Sequence, residues 1–162
     1  MSLDAVQDFY PDDLAHCYGC GRLNAAGLHV QSRWDGDETV AVLTPAAHHT
    51  AIPGYVYGGL IASLVDCHGT GSAALAALRA AGHAPGSQPP PRFVTASLKV
   101  DFLKPTPMGP PLEARGRIVE LKSRKVIVDV TVTANGDVCA RGTVVAVVMP
   151  EQMLPRTGKS RG

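Results

Sequence analysis

The stretch YGGLIASLVDCHGTGSAALAALRAAG, Tyr57 to Gly82, reads as one long helix buried on most of its sides. It opens on Gly58 and Gly59. It closes on Gly82, where a helix often ends in the left-handed conformation that glycine adopts without strain. Leu60, Leu64, Cys67, Gly71, Ala74 and Leu78 recur at helical spacing, and the other positions are mostly Ala, Gly and Ser. Faces this small let neighbouring backbones come close all round, as a helix surrounded by a sheet requires. Only Asp66 and Arg79 carry formal charge here. A carboxylate in so apolar a setting costs several kcal/mol unless it is paired or used, which singles out Asp66.

At roughly 1.5 Å per residue the same stretch is long enough to cross a bilayer. Asp66, His68, Thr70 and Ser72 near its middle, and strand-like segments on both sides, argue instead for a core helix. The formal net charge of +1 provides no field to attract nucleic acid or a membrane surface. Aromatics at 5% supply no base-stacking platform. No basic segment followed by an apolar run opens the chain, so a cytoplasmic protein is expected, with free thiols. Cys17 and Cys20 form CYGC, half of a zinc site by spacing. His16 does not complete the set, and Cys67 and Cys139 are distant in sequence. A tight turn with small buried thiols is therefore expected, and no metal or cofactor.

The 162 residues suggest one domain: an arm over 1–16, a body over 17–149 and a mobile polar tail over 150–162. The arm reads as extended or as a short helix. Leu28 to Trp34 alternates apolar and polar and predicts a half-buried strand. Asp35-Gly36-Asp37 turns it into a returning strand, Glu38 to Leu43. After the helix, Gly82 to Arg92 holds four prolines and forms neither helix nor strand. Strands follow at Phe93 to Leu103, Leu112 to Leu121, Lys125 to Ala134 and Asp137 to Met149. Asn135-Gly136 is the clearest hairpin turn. An antiparallel sheet packed on one long helix is an α+β arrangement, and its edges and outer face call for a second copy of the chain.

Four segments, in this order, resemble the hotdog-fold thioesterases. The similarity is to the branch holding the phenylacetyl-CoA thioesterase type and the THEM-type acyl-CoA thioesterases. They are CYGCGRLNAAGL, GYVYGGLIASLVD, TASLKVDFLKP and the charged turn KSRK before a β-branched strand. The resemblance implies a long central helix wrapped by a curved antiparallel sheet of five or six strands. It implies a homodimer or a tetramer of paired dimers, with active sites at the dimer interface, and hydrolysis of acyl-CoA to a free acid and CoA. On the motif positions, the catalytic Asp falls on Asp66 and the oxyanion-binding glycine on Gly59, with Gly58 beside it. The water-orienting Ser/Thr falls on Thr95, expected near Asp66 of another subunit. The chain departs from the motif at Tyr57, where the family has His, and at Ala51, where many members have Asn or Gln.

The residues themselves support that chemistry. No Ser, Thr, Asp or Asn precedes Gly58 to cap the helix, so its first N–H groups are free for a developing oxyanion. Asp66 lies seven residues after Gly59, on the same face and roughly 10 Å further along the axis. It would serve as general base or nucleophile. Tyr57 either presents its hydroxyl where the His ring would sit or fills that space. Lys104, Arg124 and Lys125 form a basic group suited to the phosphates of CoA. His68 faces away from Asp66 and reads as a packed histidine, and His48 and His49 read as loop histidines. The rival reading is a non-catalytic acyl-CoA-binding module, favoured by Tyr57 and Ala51. A hydratase or dehydratase is less favoured, since no suitably placed His acid/base is evident.

Overall fold

A computed structural model describes residues 4–156. One α-helix, α1 (Gly58–Ala80), packs on a six-stranded antiparallel sheet. The strands are β1 (Arg33–Asp35), β2 (Glu38–Leu43), β3 (Phe93–Phe102), β4 (Leu112–Leu121), β5 (Lys125–Ala134) and β6 (Asp137–Val148), in the spatial order β1-β2-β4-β5-β6-β3. This is the hotdog arrangement anticipated from the sequence. β1 and β3 form the two open edges.

Fifteen of the 23 residues of α1 are buried, among them Leu60, Leu64, Ala74 and Leu78. By length and composition α1 would pass for a membrane span, but most of it is enclosed by the sheet. The small residues permit that enclosure. A Cβ on Gly69 would stand 2.5 Å from a Val144 methyl, and one on Gly142 of β6 would stand 2.6 Å from Val65. Helix and strand therefore approach closely at reciprocal glycines. Gly82, at φ +78°, ends the helix. Its N–H reaches the Arg79 carbonyl (3.0 Å) and the His83 N–H reaches the Leu78 carbonyl (2.9 Å), the paired bonds of a Schellman cap.

β5 alternates strictly, sending Val126, Val128, Val130, Val132 and Ala134 into the core. Asn135 (φ 52°) and Gly136 (φ 78°) both take the left-handed conformation that a two-residue hairpin needs. The outer face carries Arg115, Arg117, Asp129 and Arg141 around a shallow depression.

The strand expected over Leu28 to Trp34 is a correction: only Arg33–Asp35 pairs as β1. The alternation is real, since Val30 and Ser32 are buried. The preceding backbone bonds elsewhere, Leu28 N–H to the Tyr18 carbonyl and Val30 N–H to the Gly19 carbonyl. Val6 N–H donates to the Ser32 carbonyl (3.0 Å). The first described residues thus form short 3-10 turns at Val6–Phe9 and Asp12–Leu14, with Ala5, Val6, Gln7 and Tyr10 buried against the body. In the expected tail, Glu151–Met153 forms one more 3-10 turn, and 157–162 lie outside the described residues.

Candidate active site

Asp66 sits in the middle of α1, half-buried, and Thr95 Oγ1 of β3 donates a hydrogen bond to its Oδ1. Both residues belong to the same chain. The expectation that Thr95 of one subunit meets Asp66 of another is thereby corrected, because β3 runs alongside α1 within its own protomer. Local strand structure aims this hydroxyl. The β3–β6 register shifts between Thr95 and Ser97, so Ala96 is the extra residue of a bulge. A bulge bends its strand and redirects the side chains beside it. Nothing in the sequence signalled it.

The start of α1 is the second half of the site. No side chain caps it. The N–H groups of Leu60 and Ile61 are taken by the Tyr57 carbonyl, while those of Gly58 and Gly59 have no acceptor among the described residues. The two glycines open onto different clefts. Gly58 lies beside the Phe102 ring, in a cleft it shares with Ile61, Lys104 and Thr106. Thr106, only 4% exposed, lines the same cleft, and its buried hydroxyl has no hydrogen-bond partner among the described residues. Gly59 lies on a cavity of about 370 Å³ with Tyr18, His48, His49, Tyr57 and Ser63. The Tyr57 ring folds back over Gly59, so that a Cβ there would meet the ring at 2.3 Å.

His48 and His49 therefore border the candidate site. Their rings are 4.3 Å apart, edge to face. Ala46 N–H donates to His49 Nδ1 (2.9 Å), which leaves the neutral ring's proton on Nε2. Burial, then the neighbouring His48, hold His49 below the usual histidine range.

His68 is fully buried, with both ring nitrogens engaged away from Asp66. Hydrogen bonds join its Nδ1 to Ser32 Oγ (2.8 Å) and its Nε2 to Thr39 Oγ1 (3.1 Å). Thr39 continues to Ser72 Oγ (2.6 Å), and Gln7 binds both the Ser32 hydroxyl and its backbone N–H. Burial pushes His68 down to about 4.

The basic residues do not form one group within a chain. Phe102 pairs with Ala140, whereas Lys125 pairs with Val147, so Lys104 and Arg124–Lys125 lie at opposite ends of the sheet. Lys104 follows β3 and Arg124 follows β4, so β4 carries the chain from one end of the sheet to the other between them, and their nearness in sequence misled the reading. Lys104 stays near the start of α1 and pairs with Asp137 (3.4 Å). Arg124 and Lys125 lie at the Thr95 end, where Thr95 pairs with Ala146 and Ala146 with Val126.

One further cluster escaped the sequence reading. The Sγ atoms of Cys17, Cys20 and Cys67 all lie within 4.8 Å of one another. Cys67 is remote from CYGC in sequence, but the loop holding Cys17 and Cys20 packs against the middle of α1. Hydrogen bonds from the Cys20 and Cys67 thiols, helped by the Cys20 and Gly19 N–H groups, hold Cys17 far below the usual thiol range.

The family description of the thioesterase superfamily matches residues 53–141. No curated protein matches the chain. Among solved structures, a thioesterase superfamily protein from Shewanella loihica PV-4 is 50% identical, with 86% of this chain and 98% of that one covered and a TM-score of 0.66. A phenylacetic acid degradation-related protein from Ralstonia eutropha JMP134 aligns at 19% identity over 75% of this chain and 86% of that one, with a TM-score of 0.58. A Streptococcus mutans UA159 protein bound to acetyl-CoA aligns at 20% identity over 74% and 88%, with a TM-score of 0.57. At such identities the last two speak for the fold alone. The match across the helix and most of the sheet, with half-identity to the Shewanella protein, places this chain in the thioesterase superfamily.

Proposed function

We propose that the protein hydrolyses acyl-CoA or aryl-CoA thioesters, with Asp66 as general base or nucleophile and the Gly58–Gly59 helix start as oxyanion hole. The observation that carries the reading is the Thr95–Asp66 hydrogen bond, which fixes a half-buried carboxylate on an otherwise apolar helix. In that role Thr95 orients the carboxylate or the attacking water.

Helical N–H groups point toward the N-terminus, so the donors at Gly58 and Gly59 aim away from Asp66 of their own chain. Asp66 is also roughly 10 Å further along the same axis. A thioester carbonyl cannot meet both at about 3 Å within one protomer. A working site takes Asp66 and Thr95 from one copy and Gly58–Gly59 from another. β3 supports such pairing: it is a ten-residue open edge, with Leu98, Phe102 and Leu103 all at least 40% exposed. In the homodimer, or in a tetramer of paired dimers of the same chain, Lys104, Arg124 and Lys125 are the cations offered to the CoA phosphates.

The Tyr57 ring over Gly59 favours the second reading, an acyl-CoA-binding module without turnover, because it partly screens one oxyanion donor. Thiol release from short, long and aromatic acyl-CoAs separates the two. A thioesterase turns over at least one class and loses that turnover in a folded Asp66→Ala variant. A binding module raises its melting temperature with acyl-CoA and releases no thiol from any of them.

A further inference from the structure

Cys17, Cys20 and Cys67 have no part in the chemistry above, yet the chain is shaped around their sulfurs. Ligands about 2.3 Å from a tetrahedral zinc ion are separated by about 3.8 Å. Cys17 Sγ and Cys67 Sγ are 3.9 Å apart, and Cys20 Sγ lies within 4.8 Å of both. Contact alone would also bring packed thiols this close, so the surroundings decide.

The CYGCG turn is closed by the Gly21 N–H donating to the Cys17 carbonyl at 2.7 Å. Both glycines are obligatory. A Cβ on Gly19 would stand 2.2 Å from Cys67 Sγ, and one on Gly21 would stand 2.4 Å from the Cys17 nitrogen. Two polar groups, in contact with each other, stand beside these sulfurs. The Tyr10 hydroxyl, on a residue only 3% exposed, has Arg92 as its polar neighbour and feels the charge of Cys20 and Cys67. The Arg92 guanidinium, 4.8 Å over the Tyr10 ring, interacts with all three cysteines. Three thiolates around a divalent cation leave one surplus negative charge, which one guanidinium balances. Cys17 is only half-buried, so a cation has a route in.

We propose that Cys17, Cys20 and Cys67 bind one zinc ion as three thiolates, with Arg92 as the counter-charge and the fourth position open to water or the Tyr10 oxygen. The thiol protons leave to solvent on binding. The ion pins the 17–21 loop to α1 one residue past Asp66.

The full-length protein, purified without chelator, is expected to carry one zinc per chain by elemental analysis. Cobalt(II) added to the apoprotein should give a thiolate-to-metal charge-transfer band. Both signals should vanish in Cys67→Ala and Cys20→Ser and persist in Cys139→Ala. Chelation should lower the melting temperature by about 5 °C or more. Cys17→Ser, at a half-buried position, gives the same reading should Cys67→Ala fail to fold. No bound zinc and no cobalt band in the reduced wild type would overturn the proposal. So would a band that survives in Cys67→Ala, or a native mass and thiol count showing a disulfide within the trio. None of these readouts depends on thioester turnover, so the two proposals fail separately.

Discussion

In the proposed reaction, Asp66 and Thr95 are the side chains that matter most. A general base contributes about 10² to 10⁴ in rate, so Asp66→Asn should lower kcat by at least about a hundredfold with KM little changed. Steady-state kinetics on a folded variant checks this. Thr95→Val removes one hydrogen bond to a charged group and should lower kcat about tenfold. His68 acts on stability instead. Its folded value is about 4, against 6.5 for the free group, so the unfolded chain binds the extra proton between those limits. Its contribution is therefore complete above about pH 6.5 and is lost as pH falls toward 4, by about 3 kcal/mol in all. Urea denaturation of the wild type across this window should show the loss. His68→Gln should be less stable at pH 7 but flatter with pH.

Helix α1 is held by closeness. Gly69→Ala would put a methyl 2.5 Å from Val144 in a packed layer and should cost about 1–3 kcal/mol in urea denaturation. Gly82→Ala meets nothing within 4 Å and should cost only about 1 kcal/mol, through its φ of +78° alone. Elements of this kind were legible in the sequence, because glycine placement, small-residue faces and strict alternation all act locally. β2, β4 and β5 fall where their patterns put them. What was not legible depends on partners far along the chain. Val30 and Ser32 alternate like a strand but bond the N-terminal segment and the cysteine loop. Cys67 joins CYGC only once α1 is seated. The bulge at Ala96, which aims Thr95, leaves no mark in composition. Asp66 was legible because a lone carboxylate among Ala and Leu needs a reason. Its same-chain partner was not, because which copy supplies Thr95 depends on how β3 lies against α1.

For the whole molecule, the proposed mechanism calls for a second copy at the site, because the Gly58–Gly59 donors diverge from Asp66. Light scattering should return at least twice the chain mass. Mixing Asp66→Asn chains with Gly59→Val chains should restore activity to two inactive parents, since a hybrid dimer rebuilds one intact site. Strict intrachain catalysis would leave the mixture inactive. Both outcomes rest on thioester hydrolysis. The most direct measurement is therefore thiol release from short, long and aromatic acyl-CoAs by the wild type and by Asp66→Asn. Turnover of at least one class by the wild type, abolished in a folded and dimeric Asp66→Asn protein, is the predicted result. Equal turnover by both proteins, or binding of every acyl-CoA with release of none, would contradict it.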